Sequence, residues 1–287
     1  MNMSDYAKPA LSQRLRRGHV GWWRVAGRLV LVVFAIGPIA WMVLSSLRPS
    51  SELFSSPPSL IPAHLTLTWY QQLLGDATTW EWAANSFVVA TAAMILSDVF
   101  ALLAAYGTSR FSFRGKGTFL ASLIASYVFP PILLVIPVYL LMQTAHLQGS
   151  LFAIILGHLI ITLPFSIWLM RSFITAIPRE LEEAGLIDGC SELGAFVRLT
   201  IPLARAGLLT TSLFAFIMSW TEYLFANTLS SGPSQTLPVG VAGFVTSYDV
   251  HWGPIMALGV LTTAPVLLLF GALQRFFERG LVQGAIK

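Results

Sequence analysis

The sequence predicts an all-α integral membrane protein of six spanning helices, with both ends on the cytoplasmic side. Three observations predict it. Of 287 residues, 55% are hydrophobic and only 10% are charged, against about 25% charged in soluble domains. A chain this apolar, with a mean hydropathy of +0.72, cannot keep its surface wet, so the bilayer must be its solvent. The apolar residues gather in six runs near the ~20 residues a helix needs to span, and the basic residues fall almost wholly on one side of those spans.

Residues 1–28 are basic, with Lys8, Arg14, Arg16, Arg17, Arg24 and Arg28. The apolar run 29–47 follows. A signal peptide has a shorter apolar core and a small-residue cleavage site. The Ser-Ser-Leu-Arg-Pro that closes this run is a poor site, so the run is expected to be an uncleaved first span. A transmembrane core is expected over 85–277, with spans at 85–107, 118–143, 151–174, 206–229 and 256–277. In hydrocarbon only a helix satisfies its own backbone over such lengths, closed barrels apart, and the runs lack the alternation of barrel strands.

Six spans with the N-terminus inside put sixteen of the seventeen Lys and Arg residues in inner segments or, for Arg171 and Arg275, at the inner ends of spans; Arg48 alone falls outside. This asymmetry sets the orientation and explains the net charge of +4 without any nucleic acid. The inner segments are then 1–28, the 108–117 turn, 175–205 and the tail 278–287. The longest outer segment, 48–84, is Pro- and Ser-rich around Ser55–Pro58 and then carries Trp69, Tyr70, Trp80 and Trp82. Interfacial aromatic anchoring and a docking surface for an external partner both fit it.

The second span has a ridge of small residues, Ala90, Ala93, Ser97, Ala101, Ala104 and Thr108, at spacings of three and four. Small faces let membrane helices approach closely, so this helix is expected to pack on protein. The third carries Pro130, Pro131 and Pro137, which free carbonyls and bend a helix. A simple kink and an irregular wall beside a pathway both fit.

The most informative stretch is Pro178 to Pro202. It holds five of the thirteen acidic residues, Glu180, Glu182, Glu183, Asp188 and Glu192, between two apolar runs. Pro178 suits a first helical position. The glutamates then lie near the positive end of the helix dipole. Leu181, Ala184 and Ile187 form an apolar stripe, Gly189 suits the left-handed residue that ends a helix, and Ser191 suits the cap of a second helix. Phe196 and Leu199 give that second helix an apolar side, and Pro202 is expected to stop it. The stretch reads as a short helix–turn–helix with one acidic and one apolar face. An amphipathic loop resting on headgroups is disfavoured, since acidic residues gain nothing beside anionic lipid.

Glu183-Ala184-Gly185, three residues and then Gly189 resembles the EAA motif of ABC importer permeases. Its flanks match too: Pro178, Glu180-Leu181, Ile187-Asp188-Gly189, Phe196 and Ile201-Pro202. Beyond the loop the chain is similar to the carbohydrate branch, the maltose-type second permease. That similarity runs through Ile61-Pro62, Trp69-Tyr70, Asn85-Ser86, Ala104-Ala105-Tyr106 with Arg110, Phe129-Pro130-Pro131, Leu163-Pro164-Phe165, Ser219 to Tyr223, Gln274-Arg275 and the closing Gly284 to Lys287. It covers roughly residues 25–287. The resemblance implies the type I importer permease fold. It also implies a non-catalytic membrane subunit with a coupling helix that docks on a separate ATPase dimer. A second homologous permease and an extracytoplasmic sugar-binding protein complete the implied partners, and ATP and Mg belong to the ATPase. Glu180, Glu182, Glu183, Ala184, Gly185, Asp188 and Gly189 become the implied coupling residues, Glu183 facing a basic ATPase residue. Two positions depart from the pattern: Gly185 stands where Ala is usual, and glycine loosens a helix by about 1 kcal/mol; Cys190 stands where Ala is usual and is expected to pack.

Other chemistry is missing. The three lysines, Lys8, Lys116 and Lys287, never precede Ser or Thr, so no phosphate-cradling G-x-x-x-x-G-K-[ST] loop is present. No zinc or nucleophile-elbow motif occurs. The five histidines make no ligand spacing, and the single Cys190 excludes a disulfide within the chain. His158, inside the fourth span, is expected to be packed or backbone-bonded.

Two carboxylates fall within spans, where each must face protein or water. Glu222 groups with Ser219 and Tyr223; a polar wall of a sugar pathway and a hydrogen bond to the partner permease fit equally. Asp98, unexpected for the family, lies beside the small ridge and is expected to meet a neighbouring helix. The competing functions are an ion-coupled secondary transporter using Asp98 and Glu222 as proton carriers, and an ABC permease for a non-sugar solute.

Overall fold

The computed structural model describes residues 11–53 and 62–285, with side chains over 22–53 and 62–272. Lys8, the Ser55–Pro58 stretch, Ile61, Ile286 and Lys287 lie outside the described residues, as do the side chains of Arg14, Arg16, Arg17, Gln274, Arg275 and Arg279.

The described residues form fourteen α-helices and no β-strand: α1 (Leu11–Ser46), α2 (Ser50–Leu53), α3 (Thr68–Gly75), α4 (Ala77–Arg110), α5 (Lys116–Val128), α6 (Val135–Thr144), α7 (Leu151–Thr175), α8 (Glu180–Ile187), α9 (Glu192–Ala195), α10 (Ile201–Leu203), α11 (Arg205–Trp220), α12 (Leu224–Leu229), α13 (Leu237–Gly243) and α14 (Trp252–Ala285). Four segments are long and apolar enough to cross a membrane: Trp22–Ser46, Ala77–Arg110, Leu151–Thr175 and Trp252–Ala272. Two bent pairs meet the same test, Lys116–Val128 with Pro131–Thr144 and Glu192–Leu203 with Arg205–Trp220.

The chain divides into two compact units. In the first, residues 1–70 with 252–260, the chain after α1 folds back on it. Thr66 donates its N–H to Leu47 O at 2.8 Å, the Trp69 indole donates to Arg48 O at 2.7 Å, and the hydroxyls of Tyr70 and Ser46 meet at 2.7 Å. Trp69 also covers Gly253, where a Cβ would stand 2.3 Å from its ring. Trp69 and Tyr70 thus serve contacts within the protein as well as any interface.

The second unit, residues 71–251 with 261–287, is built on α4 and α7, which pack along one another more extensively than any other pair. The sequence dictates this: Ala90, Ala93, Ser97, Ala101 and Thr108 are all buried, and the Ser97 and Thr162 hydroxyls meet at 2.7 Å inside the seam. Gly207 of α11 lets Phe173 of α7 lie almost on its backbone; a Cβ there would stand 2.4 Å from the ring. Asn85 of α4 donates to Pro233 O at 2.7 Å and to Gln235 O at 2.8 Å, and Ser86 accepts from Leu237 N at 2.8 Å. These two adjacent residues pin the segment leading into α13.

Two of the expected spans are broken, for physical reasons. The run 118–143 bends by 100°, because Pro130 and Pro131 cannot donate to the ladder; Pro131 instead starts a 3₁₀ turn, Pro131–Leu134. The run 206–229 is not one helix: α11 stops at Trp220 and α12 starts at Leu224. Polar atoms repair the break. Glu222 accepts from Phe225 N and Ala226 N, both at 3.0 Å.

Candidate functional site

The 178–202 stretch folds as a helix–turn–helix elbow between α7 and α11. The helix starts two residues later than expected, at Glu180, with Arg179 rather than Pro178 at its boundary; Pro178 ends the preceding turn instead. Gly189 has φ +91. Gly189 N donates to Leu186 O at 3.1 Å and Cys190 N to Gly185 O at 2.9 Å, the paired bonds of a left-handed helix stop. Ser191 caps α9, accepting from Gly194 N at 3.1 Å. The second helix ends at Leu203, one residue past Pro202. A π-helical turn, Phe196–Thr200, carries it into α10, and the chain bends by 71° before α11.

The faces are not the ones the sequence suggests. Leu181, Ala184 and Ile187 do make a stripe, but it faces outward: Ile187 is 88% exposed and Leu181 46%. Leu193 of α9, 71% exposed, adds to the apolar exterior. Glu180, Glu183 and Asp188 are exposed too, so acidic and apolar side chains share the outer surface. The inner face is Glu182 and Gly185, both buried. A Cβ on Gly185 would stand 2.5 Å from the end of the Leu199 side chain, so the departure from alanine gives close packing.

Glu182, 8% exposed, is the centre of a polar knot. Its Oε1 accepts from Arg110 Nε at 2.9 Å and from Thr200 Oγ1 at 2.7 Å. The Tyr106 hydroxyl reaches Oε2 at 3.4 Å. Arg110 also donates to Ile177 O at 3.1 Å, and Arg179 donates to Ser109 O at 2.6 Å. The elbow is therefore tied to the last turns of α4. Sequence reasoning grouped Glu182 with the outward acids. The signal that separates it is spacing: in the stretch only Glu182 shares the inner face with Gly185.

The polar residues that the sequence placed within spans fall into two separate places. Asp98 meets a neighbouring helix, as expected, its Oδ2 accepting from Ser212 Oγ of α11 at 2.5 Å. Ser219 and Glu222 come together on His158 of α7: Nδ1 lies 2.7 Å from Ser219 Oγ and Nε2 2.9 Å from Glu222 Oε2. Glu222 thus has partners inside its own chain, which neither sequence alternative anticipated. His158 is packed, but on side chains and not on backbone. Tyr223 does not join them and is exposed. No cluster of three or more potential metal ligands occurs among the described residues.

Residues 97–283 match the family model described as the binding-protein-dependent transport system inner membrane component. The chain belongs to this family. It is a multi-pass inner-membrane permease component and carries out no catalysis itself. The permease is 32% identical over 266 residues to the diacetylchitobiose uptake system permease protein DasC of Streptomyces coelicolor, covering 92% of this chain and 96% of that one. It is 32% identical over 259 residues to the sulfoquinovosyl glycerol transport system permease protein SmoH of Agrobacterium fabrum, covering 90% and 91%. In fold it is similar to a bacterial ABC transporter involved in import of the acidic polysaccharide alginate, with TM-score 0.76, 22% identity, and coverage of 94% of this chain and 99% of that one.

Proposed function

We propose that the permease is one transmembrane subunit of an ATP-driven sugar importer and that α8 docks in a separate ATPase subunit. One observation carries the docking: α8 turns an apolar stripe outward while a buried carboxylate anchors its other side. An exposed apolar patch on an anchored element is what a partner covers. In this reading residues 1–28, 175–205 and 278–287 face the cytoplasm, as the basic residues require, and 48–84 faces outward. The spans are the six runs of the sequence reading, with those at 118–143 and 206–229 broken. ATP and Mg bind to the ATPase dimer, a second homologous permease completes the pathway, and a solute-binding protein delivers sugar outside. The uptake systems named for the relatives support a sugar cargo. Asp98 and Glu222 are both held within the chain, which gives no support to proton carriage.

The test uses the complex recovered from membranes through a tag on the permease. Leu181→Asp with Ile187→Asp should leave the permease in the membrane and strip the ATP-hydrolysing subunit from it. Full recovery of that subunit with the double variant would remove α8 from the interface.

A further inference from the structure

We propose that Glu182 is the residue through which α8 moves α4, so that the two travel as one body when the ATPase closes. The proposal rests on the docking of α8 argued above. With eight residues, α8 is about 12 Å long. It is joined to α7 through the turn at 176–179 and to α9 through a left-handed glycine. Those connections bend easily, so a push on α8 would be absorbed in them unless something else resists.

What resists is a knot joining three segments far apart in sequence. Glu182 Oε1 takes Arg110 from the end of α4 and Thr200 from the π-helical turn. Arg110 closes back on Ile177 O, and Arg179 reaches Ser109 O. The tie is therefore made on both sides of the turn that precedes α8. Above it α4 is stiff, because its small face is buried along α7. A buried ion pair is weak evidence for stability but fixes one geometry among several, which is what transmission requires. Glu182 is thus a positioning residue and not part of the docking surface, which lies on the opposite face.

The experiment measures one distance in two states. One spin label is placed on the native Cys190, half-buried just past α8 and outside its apolar stripe, and the other at Phe113→Cys, exposed just beyond α4. The tagged complex is compared nucleotide-free and trapped with ADP and vanadate. Recovery of the ATPase with the labelled parent tests the docking reading separately; its absence sinks that reading and this one with it. In the parent the distance should be the same in both states. With Glu182→Ala the ATPase should still be recovered, the nucleotide-free distance should remain narrow, and trapping should shift it. Glu182→Gln, which keeps the shape, covers the case in which the alanine variant fails to fold, and should give a smaller shift in the same direction. A parent distance that already changes on trapping, variants that keep the parent's behaviour, or variants that lose the ATPase would each overturn the proposal.

Discussion

Arg110 Nε stands 2.9 Å from Glu182 Oε1, and both side chains are largely removed from solvent. The pair joins the last turn of a long helix to an eight-residue one. Removing one partner leaves a buried charge with no counter-charge, a loss of roughly 3–5 kcal/mol. Arg110→Ala should therefore lower the thermal transition of the purified permease strongly, and Arg110→Lys should lower it less, since the charge remains while the bond to Ile177 O is lost. Equal transitions for Arg110→Ala and the parent would show that the pair is not closed in the membrane.

Gly189 has a backbone conformation closed to most residues, with φ +91 and open space around it. Strain, not crowding, is then the cost of a side chain, roughly 1–2 kcal/mol. Gly189→Ala should lower the transition by that amount, and Gly189→Asn, which tolerates the left-handed region, should be milder. The order alanine worse than asparagine is the check; the reverse order would mean that space limits the site.

At Gly207 the limit is space. A Cβ would stand 2.4 Å from the Phe173 ring across the α7–α11 seam. Overpacking of this kind costs about 1–3 kcal/mol. Gly207→Ala should destabilise, and Phe173→Leu should recover part of the loss. The double-mutant cycle measures the coupling; simple additivity would show that the two residues do not meet.

The legibility of this chain follows the range of the interactions involved. The long apolar helices, the small ridge, Gly189 and Ser191 were readable because each depends on a few neighbouring residues. The π-helical turn at Phe196–Thr200 and the stop at Trp220 were not, since no Gly or Pro falls at either point of change. The burial of Glu182 was hidden for a different reason. A buried glutamate looks like its exposed neighbours until Arg110, seventy-two positions away, is seen beside it. His158 with Glu222 repeats the lesson: two residues with α8 to α11 between them in sequence share one site.

Glu222 supports the start of α12 by accepting two backbone N–H groups while facing His158. Loss of a capping carboxylate costs roughly 0.5–2 kcal/mol, and His158 would lose its partner as well. Glu222→Ala should destabilise more than Glu222→Gln, whose amide oxygen can still accept. Glu222→Ala combined with His158→Phe should cost less than the sum of the single changes. Additivity in the cycle would mean that the two side chains do not act together.

Glu183 is the acid whose position matches the motif, and the structure leaves it exposed beside the apolar stripe. Its contribution to the permease's own stability should accordingly be small, since surface charges seldom matter by more than about 1 kcal/mol. Its contribution to transport should be large if it faces a basic ATPase residue. Glu183→Lys would set like charges against each other there, so the thermal transition of the permease should stay where it is while sugar uptake is lost. The same variant separates Glu183 from Glu182, whose replacement acts on both measurements. Normal uptake by membranes carrying Glu183→Lys would remove this residue from the coupling surface and leave the apolar stripe to carry docking alone.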